Sequence, residues 1–265
     1  MNPSRYEVNC SILFTEVDLL DRPAAAKKAG FDAIEFWWPF PEPVPADREV
    51  DRFVRAVEDA GVSLVGLNFF GGDLPSGDRG VLSNPKRSAE FTDNIDVAVG
   101  IGERLGCKAF NALYGNRIEG VDPAAQDELA TENLVRAGKA AERIGGTVLI
   151  EPISGVDSYP LKTAGDALAV IDRVRTKGAN NLKLLFDIYH LVANGDDPDA
   201  VLDRHPETIG HVQIADVPGR GEPGSGSVDF AHYFDRLDAV GYNGPIGLEY
   251  KPTVPSADSF AWIQR

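Results

Sequence analysis

Short apolar runs alternate with longer mixed stretches along the whole of this chain. The apolar runs fall at residues 6–14, 33–38, 63–70, 108–114, 147–153, 182–189, 209–217 and 245–250. They are rich in β-branched, aliphatic and aromatic residues, as strands buried on both faces are. Between them, residues 18–29, 47–60, 84–105, 123–143, 163–175, 197–204 and 229–240 read as helices, and 256–263 as a short closing one. Glycines follow several of these (Gly30, Gly61, Gly106), and Pro123 opens another. The phrase Ala-Gly-Phe at 29–31 returns as Ala-Gly-Val at 60–62 and Val-Gly-Tyr at 240–242, a repeated helix-to-strand turn. Strict alternation of strand and helix predicts a parallel sheet in an α/β protein. Eight units in 265 residues fit a single-domain (β/α)8 TIM barrel spanning 1–265. An open doubly wound sheet is the other arrangement the pattern allows.

Polar residues interrupt these runs mainly near their carboxyl ends, where parallel α/β proteins bind ligands. Thr147-Val148-Leu149-Ile150 stops at Glu151-Pro152. The sixth run ends with Asp187 and His190 at its tip, the seventh carries Gln213, and the eighth closes with Glu249-Tyr250-Lys251-Pro252. Glu35 is added by the second. In a closed barrel these ends converge, and carboxylates brought together raise one another's pKa unless a cation lies between them. Glu151, Asp187, Glu249 and the Gln213 carbonyl form an all-oxygen set that suits Mg²⁺ or Mn²⁺ better than Zn²⁺. The competing reading pairs each acid with a surface Lys or Arg. His190, just past Asp187, is placed to hydrogen-bond a substrate oxygen. His211 suits a buried structural role as well as a ligand role, and His205 and His232 read as solvated.

Gly219-Arg220-Gly221-Glu222-Pro223-Gly224 matches G-x-G-x-x-G in letters only, because Pro223 and Gly226 disfavour the helix start a pyrophosphate needs. Arg220 in that loop, and Arg79 in Gly77-Asp78-Arg79-Gly80, are candidates to hold an anionic substrate. Each could instead stabilise its own loop. The formal net charge of −15 makes such local cations necessary for an acid substrate and argues against nucleic acid as a partner. No apolar run approaches 18 residues, no signal pattern opens the chain, and two cysteines, Cys10 and Cys107, make no disulfide framework. A cytoplasmic protein without membrane contact is expected.

Six motifs together resemble the hydroxypyruvate isomerase family, within the xylose-isomerase-like TIM barrels: Asn9-Cys10-Ser11-Ile12-Leu13-Phe14, Leu149-Ile150-Glu151-Pro152-Ile153, Phe186-Asp187-Ile188-Tyr189-His190, Gly210 to Asp216, Arg220 to Gly226, and Gly247 to Pro252. They occur in order over nearly the whole chain. The resemblance implies a metal-dependent isomerase taking hydroxypyruvate to tartronate semialdehyde, with Glu151 and Glu249 as metal ligands and acid/base pair. Asp187 and Gln213 would complete the metal site, and His190, Arg220 and Arg79 would contact substrate. Ketose 3-epimerases usually carry histidine at the position of Gln213. The segments 39–45 and 116–120 depart from enteric members and are expected to border the site's mouth, so a 2-oxo-tetronate or a free ketose is an alternative substrate. A small-molecule partner is implied, and self-association is left open.

Overall fold

A computed structural model describes residues 5–264. Its strands are β1 (Tyr6–Asn9), β2 (Ala33–Phe36), β3 (Ser63–Asn68), β4 (Ala109–Asn111), β5 (Thr147–Ile150), β6 (Leu182–Asp187), β7 (Ile209–Ile214) and β8 (Ile246–Leu248). They pair in parallel, each with its sequence neighbours, and β1 pairs with β8 to close the barrel. This is the TIM barrel expected, and closure removes the open-sheet alternative. Tyr6, Glu7 and Val8 lie opposite Ile246, Gly247 and Leu248 along the seam.

The outer helices are α1 (Arg22–Lys28), α2 (Asp47–Ala60), α3 (Ser88–Leu105), α4 (Pro123–Glu142), α5 (Ala164–Arg175), α6 (Ile188–Ala193), α7 (Pro198–Arg204) and α8 (Phe230–Ala239). Their ends follow local chemistry. Asp122 accepts from the Ala124 amide at 3.0 Å, with Pro123 as first residue of α4. Thr163 and Asp166 cap α5 reciprocally. Gly61 takes φ +65° to end α2, a conformation that costs a side chain free energy.

Several expected elements differ from those observed. The first run stops as a strand at Asn9, and residues 10–14 form turns and bends. The seventh stops at Ile214. The closing helix is two 3-10 turns, Ser256–Asp258 and Ala261–Gln264. The sixth apolar run continues to 189, but Asp187 ends the strand and caps α6. Its Oδ1 accepts from the amides of Tyr189 at 2.8 Å and His190 at 3.4 Å. Strand-like residue types here lose to a cap, because an Asp side chain offers the following amides a competing acceptor. His190 therefore sits on a helical first turn rather than on a strand tip. Among the described residues no helix is long and apolar enough to cross a membrane.

Candidate active site

Because all eight strands are parallel, their carboxyl ends share one mouth. A cavity of about 470 Å³ opens there, lined among others by Trp37, Arg79, Glu151, Ser154, His190, Arg220, Glu249 and Lys251. Glu151 follows β5 directly, Asp187 is the last residue of β6, and Glu249 follows β8. Oxygen atoms of these three acids and a ring nitrogen of His190 all lie within 4.8 Å of one another, and all four residues are buried. Gln213 lies beside Asp187 in the β6–β7 register.

Each acid is held in a defined way. Glu151 Oε2 accepts from Asn111 Nδ2 at 2.7 Å. Glu249 Oε1 accepts from Trp37 Nε1 at 2.6 Å, Asn9 Nδ2 at 2.8 Å and Gln213 Nε2 at 3.3 Å. Its Oε2 is ion-paired with Arg220 Nη2. Burial, and then repulsion from Glu249 and Asp187, pushes the Glu151 carboxyl well above the usual range. Burial raises Glu249 to about 7 against the opposing pull of Arg220. Burial likewise raises Asp187 to about 6.

His190 presents a fixed tautomer. The Ser154 amide donates to its Nδ1 at 2.9 Å, so the neutral ring carries its proton on Nε2. Nε2 faces Glu151 Oε1 at 3.8 Å and Asp187 Oδ2 at 3.7 Å. Burial first, then Arg220, holds its pKa well below that of a free histidine. A ring fixed this way is a hydrogen-bond donor and cannot offer Nε2 as a metal ligand.

Arg220 stands at φ +60°, which aims its head inward over the Tyr189 ring, 5.3 Å from the centroid. The glycine-rich loop around it wraps Asp216. Oδ2 of that residue accepts from the Gly224 and Gly226 amides at 2.8 Å, and Oδ1 from Val217 at 2.8 Å and Val228 at 3.0 Å. These amides are spent on an internal carboxylate, which is why the loop does not cradle a pyrophosphate. Arg79 also lines the cavity, but its Nη1 donates to the carbonyls of Leu74 at 2.9 Å and Asp78 at 2.6 Å. It brings charge to the mouth while tying its own loop.

The donor set fits a divalent cation. Asp187 Oδ2 and Gln213 Oε1 are buried acceptors with no hydrogen-bond donor among the described residues. Leaving such atoms unpaired costs about 1–3 kcal/mol each unless something positive meets them. With Glu151 and Glu249 they are hard oxygens, the kind Mg²⁺ and Mn²⁺ prefer.

Glu35 and His211 belong elsewhere. Glu35 is the third of four residues in β2 and lies deeper in the barrel, grouped with Glu7 and His211. His211 Nε2 is 3.0 Å from both Glu7 Oε1 and Glu35 Oε2. Burial disfavours charge on His211, but Glu7 and Glu35 outweigh it and hold the pKa well above the ordinary value. The open question over His211 thus resolves to a buried ion cluster. Glu7, Asn9, Trp37, Asn111 and Ser154 were not anticipated from sequence. Asn9 and Asn111, both last residues of strands, carried a readable signal. Residues 39–43 line an aromatic trough of about 730 Å³ that adjoins the cavity at Trp37, while 116–120 line neither.

Comparison with known proteins matches residues 23–265 to the model of the xylose isomerase-like TIM barrel family. A Streptomyces coelicolor chain named "Putative hydroxypyruvate isomerase" is 55% identical, with 98% of this chain and 95% of that one covered. A 2-oxo-tetronate isomerase of Cupriavidus necator is 36% identical, covering 98% and 97%. A Brucella melitensis crystal structure described as an AP endonuclease of family 2 superposes with TM-score 0.87 at 31% identity, covering 98% of each chain. The chain belongs to the xylose isomerase-like TIM barrel family, among its isomerases.

Proposed function

We propose that this chain interconverts hydroxypyruvate and tartronate semialdehyde with the help of a bound Mg²⁺ or Mn²⁺. The observation that carries the reading is the pair Glu151 and Glu249: two buried carboxyls with raised proton affinity, in one cavity with basic side chains. Glu151, Asp187, Glu249 and the Gln213 carbonyl would hold the cation, which when bound supplies Lewis-acid stabilisation of negative charge on the substrate oxygens. One of the two glutamates removes a proton from C3 of hydroxypyruvate, leaving an enediolate across C2 and C3. The same group or its partner returns a proton to C2, while the C3 hydroxyl proton passes to the C2 oxygen. His190 donates from Nε2 to a substrate oxygen. Arg220, turning from Glu249, and Arg79 meet the substrate carboxylate. Indole and amide donors from Trp37 and Asn9 keep Glu249 oriented throughout.

A second reading, a 2-oxo-tetronate isomerase or ketose 3-epimerase on the same groups, is favoured by the trough adjoining the cavity, which has room for a longer carbon chain. An apurinic-site endonuclease is disfavoured by a single histidine in the acid cluster and by the charge of −15. NMR of hydroxypyruvate in deuterated water with Mg²⁺ or Mn²⁺ tests the first reading against the second. Tartronate semialdehyde carrying deuterium at C2 is expected. An inert hydroxypyruvate beside a turning-over 2-oxo-tetronate or ketose moves the assignment to the second reading, and neither turnover nor exchange with any of them ends both.

A further inference from the structure

The buried Glu7–Glu35–His211 cluster has no part in the proton transfers, yet it is bonded to the site. Glu35 Oε1 accepts from Gln213 Nε2 at 2.7 Å and from Asn9 Nδ2 at 3.2 Å. Both amides also donate to Glu249 Oε1. Two carboxylates thus share the same two NH₂ groups. With carboxylate oxygens on that side, the Gln213 amide must put its nitrogen there, because its oxygen would meet like charge. The Oε1 left over is the buried acceptor without a donor.

Glu35 is itself buried and closely packed. A methyl group at Gly66 would stand 3.0 Å from its Oε2, and one at Gly247 2.8 Å from its Oε1. His211 Nε2 holds Oε2 from below. We infer that Glu35 is a positioning residue: it fixes the Gln213 amide so that oxygen, not nitrogen, faces the cation of the proposed site. The inference rests on the metal reading above.

The test is Mn²⁺ affinity, read by titration calorimetry and by the electron-spin signal of free Mn²⁺, without substrate. Glu35→Met removes the acceptor while filling its volume, and Mn²⁺ should bind about 10- to 100-fold more weakly. Adding Gln213→Glu to that variant should restore binding, because a carboxylate offers oxygen whichever way it turns. With Gln213→Glu alone as the fourth corner of the cycle, the two changes should be strongly non-additive, as coupled neighbours are. Affinity unchanged in Glu35→Met, or no recovery in the double variant, overturns the inference. Should Glu35→Met lose its fold by circular dichroism, Glu35→Leu and Glu35→Leu with Gln213→Glu carry the same comparison, since leucine also lacks the acceptor. A parent that binds no Mn²⁺ overturns the metal reading together with this inference. A parent that binds it as well as its Glu35 variant overturns the role of Glu35 alone.

Discussion

Glu7, Glu35 and His211 fill the lower part of the barrel interior; Glu151, Asp187 and Glu249 fill its mouth. Both groups bury carboxylates almost completely. The lower acids enclose a histidine, and its ring nitrogen contacts both of them at 3.0 Å. The upper acids have a histidine too, but burial, and then Arg220, keeps that ring neutral. The lower cluster is packed against glycine backbone, whereas the upper one opens on a cavity. Similar side chains therefore serve opposite ends. The lower group sets one histidine against two acids, and the upper sets one arginine, Arg220, against three.

The largest effect should come from the mouth. Glu151→Gln and Glu249→Gln are each expected to lower turnover by about 10²- to 10⁴-fold, the usual worth of a positioned acid or base, with the circular dichroism spectrum unchanged. A rate near that of the parent in either removes it from proton transfer. His211→Leu should act in the other direction, sparing the chemical groups but leaving two buried acids without their cation. Loss of about 3–5 kcal/mol of stability is expected, seen by denaturant unfolding, and Mn²⁺ should not compensate for it. A variant as stable as the parent would mean the lower cluster does not depend on its histidine.

His190→Ala should lower kcat/KM by about 10- to 100-fold, the worth of one hydrogen bond to a charged oxygen, in steady-state assays. The gentlest probe is pH. The mouth acids have folded pKa values raised above those of the unfolded chain, Asp187 to about 6 and Glu249 to about 7. Without the metal these carboxyls therefore bind more protons folded than unfolded. The stability these groups contribute is fully present below the unfolded carboxylate pKa and is lost as pH rises through 6 and 7. Cation binding needs the deprotonated forms, so the Tm gain on adding Mg²⁺ or Mn²⁺ should grow from pH 5 to pH 8. A gain that shrinks over that range contradicts the assignment.

The barrel was legible because its signal is redundant: eight runs, each ended by a polar residue or turn. The mouth acids were legible for a related reason. A carboxylate after Leu149-Ile150 or Gly247-Leu248 breaks an apolar run where the strand must end. The lower cluster was not. Barrel strands bury both faces, so Glu7 and His211 sit inside apolar runs with no alternation to say which way they point. The helix at Ile188 was hidden because Ile-Tyr-His continues a strand-like run, and only the Asp187 side chain, capping two amides, turns it. Arg220 was legible as a cation but not as a partner of Glu249, since that pairing depends on a left-handed backbone no pattern announces.

Asn9 reaches Glu249 across the seam where β1 meets β8, a separation of 240 residues. During synthesis the amino-terminal strand must wait for nearly all the rest to emerge before its edge is covered. Until then Trp37 has no carboxylate to grip, Asn9 has only Glu35, and the pocket lacks one wall. A ribosome-bound fragment stopped before residue 246 would thus lack β8 and Glu249, one of the four groups proposed to hold the cation.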